Sequence, residues 1–514
     1  MTNDSYQYLS IAKQAFKGNY GYTNLVTFDR ERSYGIIPAP ATGFPLGYST
    51  LIALVGWFKV PVETAGWMIS ALSTAGCVPL LMFILTNLNL SRSLKVFAAG
   101  FFVCNASTIK FGSAVLSEAL FCFLVLLAVT LILRAQQHNK AGFFLWVSAG
   151  MTFGAAYFVR YAGMFFILGV GFLVIRHAFL KQRNLLLGYL GVLLSASIWL
   201  FGGLLRNLML TGNWRGGNEK VIENQLISII FYTARALNSL ILGPGTMADT
   251  GALRLAAIIL FGIGIVCLMN KQFKQIRLKL FNYSPEFSGF SLDVAILIFV
   301  YSACMFYAGL TTVIDYNYRM FVPILPLVVI LLFQMVDRVR QLISKTDSWR
   351  SCWRQRVGLT MIGLAMILYA YLNLLVLKLP VSREGETILK ILDSKTHIQI
   401  SVRDAVNKLT GPNGIIIANH GQALGYFLDH PTLSLVGPQY SDEKWDENAI
   451  AALVRRYNAR AIVIAAWQGL QDNDDIIPSP FIRSLTQNSP PKWLSLAHRS
   501  EGVLVYKAVL ENKF

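Results

Sequence analysis

The segment SEALFCFLVLLAVTLILR, residues 117–134, decides the fold class of this chain. It carries charge only at Glu118 and Arg134, and the residues between them form a long apolar run rather than an alternating one. A run of roughly this length can cross the hydrocarbon core of a bilayer as a helix, because a helix satisfies its own backbone hydrogen bonds. The segment therefore predicts a membrane-spanning helix with a carboxylate at one end.

The rest of the chain repeats this pattern. Of its 514 residues, 54% are hydrophobic and 14% are charged, and the mean hydropathy is +0.51, as is typical of membrane proteins. We predict a mainly α, polytopic membrane helix bundle of about ten spans with outer interfacial helices. The predicted spans are residues 64–87, 96–112, 118–134, 141–158, 162–176, 185–204, 252–269, 292–313, 320–336 and 357–377.

The net charge of +18 lies in residues 1–380, because residues 381–514 contain 14 Lys and Arg residues and 14 Asp and Glu residues. Basic residues concentrate in every second loop, which places those loops in the cytoplasm by the positive-inside rule. Residues 1–62, the intervening loops and everything after residue 378 are then predicted outside the cytoplasm. The same rule accounts for the excess charge, so no nucleic-acid partner is indicated.

The composition after residue 380 is that of a soluble α/β domain. We therefore predict a transmembrane domain, residues 1–379, and an extracytoplasmic α/β domain, residues 380–514. Short β-branched runs alternate there with helical runs, and they predict strands at residues 414–420, 432–437, 459–466 and 502–509.

The first residues, MTNDSYQYLSIAKQAFKGNY, predict an amphipathic helix outside the cytoplasm. Asp4 and Gln7 have the spacing of a capping box, and Gly18 suits the end of the helix. Because no signal peptide precedes this helix, we expect a further apolar helix upstream. Residues 45–58 are too short to span comfortably and predict a second helix in the outer interface.

Charged side chains at the ends of membrane helices are the candidates for chemistry, because charge is expensive there. Asp4 and Glu118 are predicted at the same outer face, although a helix cap and a helix-dipole partner would also explain them. Several arginines of the outer loops either snorkel to lipid headgroups or surround an anionic group such as phosphate: Arg160, Arg206, Arg319, Arg30 and Arg32.

Six short motifs together resemble the integral-membrane glycosyltransferases of the GT-C superfamily. The likeness is strongest to the branch that includes the protein mannosyltransferases and the aminoarabinose transferase, and it covers residues 1 to about 377. It rests on the order and spacing of DSYQYLSIAKQAFKGNYGY, FPLGYSTLIALVG, SEALFCFLVLLAVTLILR, GAAYFVRYAG, RNLMLTGN and YRMFVPILPLVVILLF.

The resemblance implies a glycosyltransferase that takes a sugar from a polyprenyl-phosphate donor and works on the extracytoplasmic face of the plasma (inner) membrane. The acceptor is expected to be a hydroxyl of a lipid, glycan or protein. By their positions in the motifs, Asp4 and Glu118 are the implied catalytic acids. The implied contacts of the donor phosphate are Arg160, Arg206 and Arg319, with Arg30 or Arg32 in place of a lysine that some relatives carry.

The chemistry of such a transfer fits these groups. A base must take the proton of the acceptor hydroxyl, and positive charge must stabilise the departing phosphate. Asp4 is predicted as the base, and direct displacement by the acceptor predicts inversion at the anomeric carbon. A divalent metal ion between carboxylate and phosphate is compatible with this scheme, although no sequence feature demands one.

Two alternatives stay open at this point. A lipid-linked glycan flippase or transporter would also have many helices, but it should place charged groups near the membrane midplane. An O-antigen polymerase or ligase would use the same setting to join whole oligosaccharides.

Overall fold

The computed structural model describes most of the transmembrane region and most of the C-terminal region. The described residues are 3–26, 37–137, 142–214, 225–242, 289–311, 318–344, parts of 360–371, 396–435, 445–465, 479–487, 489–500 and 502–509. Arg30, Arg32, the predicted span 252–269 and the predicted domain boundary after residue 379 lie outside them.

Helices make up most of the transmembrane region that the structure describes. They are α1 Asn3–Phe16, α2 Gly47–Gly56, α3 Val62–Asn87, α4 Arg92–Val103, α5 Ala106–Gly112, α6 Glu118–Gln137, α7 Gly142–Val159, α8 Gly163–Phe179, α9 Arg183–Thr211, α10 Leu226–Leu242, α11 Gly289–Thr311, a 3-10 helix Tyr318–Ile324 and α12 Leu325–Ser344.

Six of these segments are long and apolar enough to cross a membrane, among the residues that the structure describes. They are Val62–Asn87, Glu118–Gln137, Gly142–Val159, Arg183–Thr211, Gly289–Thr311 and Tyr318–Arg338, and the bent pair of α4 and α5 makes a seventh if it is one span. The protein is therefore a multi-pass membrane protein. The number of about ten spans stays a prediction.

The bundle is held together by close contacts between its helices, including the parallel pair α7 and α9. On α7, a Cβ atom added at Gly150 would lie 2.0 Å from Ser195 Oγ, and one added at Gly154 would lie 2.3 Å from the Trp199 ring of α9. These glycines let α7 and α9 approach closely, which in a bilayer gains the van der Waals contact that drives helix association. The small-residue motif GMTFG thus packs within this chain.

α4 and α5 bend by 57° at a break around Asn105. The Asn105 side chain is fully buried; its oxygen accepts the backbone N–H of Ser107 at 2.8 Å and caps α5. Its amide donates to the carbonyl of Leu240 at 2.8 Å and to the hydroxyl of Tyr369 at 2.6 Å. One amide group therefore satisfies the polar groups that the break would leave bare within the bundle.

A six-stranded sheet occupies the C-terminal region. Its strand order is β2-β5-β4-β6-β8-β7, where β2 is Leu25–Val26. Strands β2, β5, β4 and β6 run parallel, and β8 is antiparallel to both β6 and β7. The strands are β4 Ile416–Ala418, β5 Thr432–Ser434, β6 Ala461–Ala465, β7 Leu494–Ser500 and β8 Val503–Ala508, and the helices are α13 Thr396–Thr410, α14 Gly421–Leu428, α15 Glu447–Tyr457 and α16 Pro480–Thr486.

Apolar side chains of the sheet alternate between its two faces. Ile417 and Ile462 pack against α15 and α16, and Ile416 and Val463 pack against α13 and α14. This alternation follows from the two-residue period of a strand. Helices therefore cover both faces of the sheet.

The remaining strand of the sheet comes from the other end of the chain. β1 Tyr22–Thr23 pairs with β3 Ala39–Pro40 in a separate two-stranded sheet, but β2 Leu25–Val26 pairs in parallel with β5. Leu25 lies opposite Thr432 and Val26 opposite Leu433. Backbone hydrogen bonds thus join the segment after α1 to the C-terminal sheet, a link between distant residues that the sequence patterns do not reveal.

Candidate active site

Four charged residues from distant parts of the chain meet at one end of the bundle. Arg319, in the 3-10 helix, donates from Nη2 to Asp4 Oδ2 at 2.6 Å and from Nε to Glu118 Oε1. Arg160, just after α7, places Nη1 2.8 Å from the same oxygen of Glu118. The structure therefore brings Asp4, Glu118, Arg160 and Arg319 together, in a group that we call the acid–arginine cluster.

The two acids of the acid–arginine cluster differ in their surroundings. The Glu118 side chain is 0% exposed, whereas that of Asp4 is 31% exposed. Within the described residues, Glu118 Oε2 is buried and has no hydrogen-bond partner. A buried carboxylate oxygen without a hydrogen-bond partner destabilises the folded state unless another group binds to it. Asp4 is thus open to a molecule from outside, and Glu118 holds the arginines from behind.

Two hydroxyl groups support Arg160 from α1 and from the start of α6. Arg160 Nη1 donates to Ser117 Oγ at 3.2 Å, and the Tyr8 hydroxyl lies 2.9 Å from the same oxygen. Burial, reinforced by the charges of Asp4 and Glu118, raises the pKa of Tyr8 to about 12. The Tyr8 phenol therefore stays neutral and ties α1 to α6.

Arg206, also predicted at the site, binds backbone carbonyl groups. It donates to Gly21 O at 3.1 Å and to Ala41 O at 3.3 Å, which fastens the loops around β1 and β3 to the end of α9. Gly21 has a φ of +81°, and a Cβ atom there would lie 3.0 Å from Arg206 Nη2. A glycine is required for this close approach. Arg206 thus fixes the outer loops, while Arg30 and Arg32 are outside the described residues.

The C-terminal region positions the helix that carries Asp4. The Tyr6 ring of α1 lies 5.2 Å from the Tyr426 ring and 5.5 Å from the Phe427 ring of α14. The Tyr426 hydroxyl donates to the Glu63 carboxylate at the start of α3, and Lys13 Nζ lies 3.9 Å from the centre of the Tyr426 ring. α1 is therefore clamped between the membrane bundle and the C-terminal sheet.

Two further side chains near the acid–arginine cluster, Tyr8 and Lys110, were not predicted from the sequence. Tyr8 lies one helical turn after Asp4, and this spacing could have marked it as a neighbour. Lys110, on α5, donates from Nζ to the Tyr318 hydroxyl at 3.0 Å, and Tyr318 directly precedes Arg319. No local pattern connects residues 110 and 318, so only the fold reveals this contact.

A metal ion was compatible with the predicted chemistry, and the structure permits a test of fit. Among the described residues, no group of three or more His, Cys, Asp and Glu side chains could hold a metal ion. The contacts of Asp4 and of Glu118 Oε1 are made by arginines. The arginines thus occupy the positions at which a metal cation would meet these carboxylate oxygens.

Comparison with known proteins agrees with this architecture. Residues 62–210 match the family model described as dolichyl-phosphate-mannose-protein mannosyltransferase. No curated protein sequence matches the chain.

Solved structures with a similar fold include a crystal structure of ArnT from Cupriavidus metallidurans in the apo state. It is 12% identical, the match covers 98% of this chain and 93% of ArnT, and the TM-score is 0.55. The same ArnT bound to undecaprenyl phosphate is 13% identical over the same shares of both chains, with a TM-score of 0.51.

The arabinofuranosyltransferase AftD from Mycobacteria, solved by cryo-electron microscopy, also has a similar fold. It is 15% identical, and the match covers 98% of this chain but 38% of AftD, with a TM-score of 0.51. The family model covers residues 62–210, and the solved structures share the fold of this chain over 98% of its length.

Proposed function

We propose that this protein transfers a sugar from a polyprenyl-phosphate donor to a hydroxyl group of a lipid, glycan or protein acceptor. The observation that carries the proposal is the bridge that Arg319 makes between Asp4 and Glu118. Three segments far apart in sequence supply these groups at one end of a membrane bundle, where an amphiphilic donor can present its phosphate. The undecaprenyl phosphate bound to ArnT supports a donor of this class.

Each group has a defined task in the proposed transfer. The acceptor hydroxyl donates its proton to the Asp4 carboxylate while its oxygen attacks the anomeric carbon of the sugar. The bond from that carbon to the phosphate oxygen breaks, and its electron pair stays on the departing polyprenyl phosphate. Arg319 and Arg160 bind the phosphate as its negative charge develops, because the planar fork of a guanidinium suits phosphate oxygens.

Glu118 keeps this arrangement in place before the donor arrives. Its Oε1 accepts from both arginines, and burial at 0% exposure strengthens those ion pairs. Without the carboxylate, the two half-buried guanidinium groups would repel each other. The preorganised positive charge is what lowers the barrier for a leaving phosphate.

The direct attack predicts inversion at the anomeric carbon, because the proposed reaction has a single displacement and no sugar bound to the protein. We place the reaction on the extracytoplasmic face of the plasma membrane, in keeping with the basic residues of the alternate loops. The arginines of the site would then lie where positive charge is otherwise sparse.

The test is transfer by the purified full-length protein in lipid nanodiscs. Radiolabelled mannose, glucose, arabinofuranose and aminoarabinose, each on undecaprenyl and on dolichyl phosphate, are offered with lipid, glycan and peptide acceptors. We expect label to move from one donor to an acceptor and the anomeric configuration of the product to be inverted by NMR. The matched control is Arg134→Gln, at the opposite end of the helix that starts at Glu118.

Transfer from no donor of this panel would contradict the proposal. A product with retained configuration would contradict the single displacement, and bound lipid crossing the bilayer without transfer would favour the flippase.

A further inference from the structure

Among the residues that the structure describes, positive and negative charges balance in the acid–arginine cluster. Two acids, Asp4 and Glu118, are paired with two arginines, Arg160 and Arg319. The departing phosphate of the proposed transfer gains one negative charge when its bond to the sugar breaks. A balanced cluster leaves that additional charge without a cation of its own.

Lys110 is a nearby cation that has no carboxylate partner among the described residues. Its Nζ donates to the Tyr318 hydroxyl at 3.0 Å. Lys110 is half-buried rather than free in solvent. A half-buried ammonium group without a counter-ion is costly, and an anionic ligand would compensate it.

Lys110 is held in position by the fold. It lies on α5, which Asn105 caps at the break after α4, and the Phe111 ring packs 6.1 Å from the Tyr318 ring. A Cβ atom at Gly112, the last residue of α5, would lie 2.7 Å from Thr74 Oγ1 of α3, so α5 and α3 are in close contact. The lysine therefore reaches Tyr318 from a short, well-packed helix.

The position of Tyr318 connects Lys110 to the acid–arginine cluster. Tyr318 and Arg319 are consecutive, and the guanidinium of Arg319 spans both acids. A tyrosine hydroxyl that accepts from an ammonium group can donate its own proton to a phosphate oxygen. Lys110 and Tyr318 together thus offer one cation and one hydroxyl donor beside the place where the reaction occurs.

We infer that Lys110, with Tyr318, binds the phosphate of the polyprenyl donor and neutralises the charge that this phosphate gains as it leaves. This inference rests on the proposed function and names the cation of its leaving-group site. A lysine suits the task as a compact point charge with three donors, while the arginines keep their bonds to the acids. Lys110 and Tyr318 are absent from the sites predicted from the sequence.

The test compares binding of undecaprenyl phosphate with binding of undecaprenol to the full-length protein in nanodiscs. We expect the wild type to prefer the phosphate, and Lys110→Gln to bind it about 10- to 100-fold more weakly with unchanged binding of undecaprenol. Lys110→Arg should keep part of the preference. The matched control is Lys95→Gln, at a half-buried lysine on α4 that donates to Thr86 in an exposed hydrogen bond.

A second measurement separates a direct contact from a structural role. A nearby cation stabilises the dianion of a phosphate, so the second pKa of bound undecaprenyl phosphate should lie below its free value in the wild type. By phosphorus NMR, it should rise in Lys110→Gln and stay low in Lys95→Gln.

Retained preference and an unchanged phosphate titration in Lys110→Gln would overturn the inference and leave the proposed function intact. A wild type that binds undecaprenol as tightly as undecaprenyl phosphate would overturn the donor class itself, and the inference with it.

Discussion

Buried charges occur at both ends of the bundle, but the two groups are built differently. At the end opposite the acid–arginine cluster, Asp293 of α11 accepts from the Tyr189 hydroxyl at 2.5 Å and pairs with Arg176 and His177. His177 in turn lies 2.6 Å from Gln182 Oε1 and stacks on the Tyr189 ring. This Asp293 cluster joins α8, α9 and α11.

The difference lies in how completely each carboxylate is satisfied. In the Asp293 cluster, one buried acid receives partners at both of its oxygens. In the acid–arginine cluster, one oxygen of Glu118 lacks a partner within the described residues, and Asp4 is partly exposed. A closed cluster stabilises a fold, whereas an open one can receive a substrate. The predictions below separate these two roles.

The largest expected effect belongs to Asp4. Asp4→Asn removes the base but keeps the size of the side chain, so transfer should fall by about 10²- to 10⁴-fold. The melting temperature should change little, because the side chain is partly exposed. Initial rates in nanodiscs measure the effect, with Asp404→Asn on α13 as the control. Equal rates for Asp4→Asn and wild type would remove Asp4 from the mechanism.

Glu118→Gln should reduce transfer by about 10²- to 10³-fold, because Arg160 and Arg319 lose the buried charge that orients them. Unlike Asp4→Asn, it should also lower the melting temperature. Glu118→Asp should recover part of both losses. A variant that melts like the wild type would show that Glu118 does not hold the arginines.

Asp293→Asn should lower the stability of the fold without changing the rate of sugar transfer. It removes the carboxylate that pairs with Arg176 and accepts from Tyr189, so we expect a loss of about 3 kcal/mol in the free energy of unfolding. Transfer per folded molecule should stay within about twofold of the wild type. Denaturant unfolding monitored in detergent tests the first expectation. A loss of turnover with wild-type stability would contradict the structural role of this cluster.

The smallest effect is a dependence of stability on pH. His420, between β4 and α14, has a buried Nε2 with no hydrogen-bond partner among the described residues, and burial lowers its pKa to about 4. The unfolded chain binds a proton below about pH 6.5, and the folded chain does so only near pH 4. The contribution of His420 is therefore present above pH 6.5 and lost as the pH falls.

This loss amounts to at most about 3 kcal/mol between pH 7 and pH 4. Melting temperatures at pH 7, 6 and 5 should fall less steeply in His420→Gln than in the wild type, whereas His498→Gln on β7 should follow the wild type. Parallel curves for His420→Gln and wild type would contradict the assignment.

Local patterns were sufficient for much of the fold. Apolar runs predicted the helices that the structure describes, because a bilayer imposes length and hydropathy on each span separately. Alternating runs likewise predicted β4, β5, β6 and β8, which are buried on both faces of the sheet. β7 was not predicted, because it is an exposed edge strand with few apolar residues.

Contacts between distant segments could not be predicted in the same way. The alternation of basic and non-basic loops predicted that Asp4, Glu118, Arg160 and Arg319 lie at the same end of the bundle. It could not predict that they lie within hydrogen-bond distance of each other. The pairing of β2 with β5, and of Lys110 with Tyr318, depends on how separate elements dock. A local sequence pattern does not contain information on how separate elements pack against each other.

The most direct measurement of the central claim is a double-mutant cycle between Asp4 and Arg319 on the rate of sugar transfer. The claim is that an acid near the start of the chain and an arginine more than 300 residues later act as one unit. Asp4→Asn combined with Arg319→Gln should then be about as slow as the slower single variant. A double variant whose loss equals the product of the two single losses would contradict the claim.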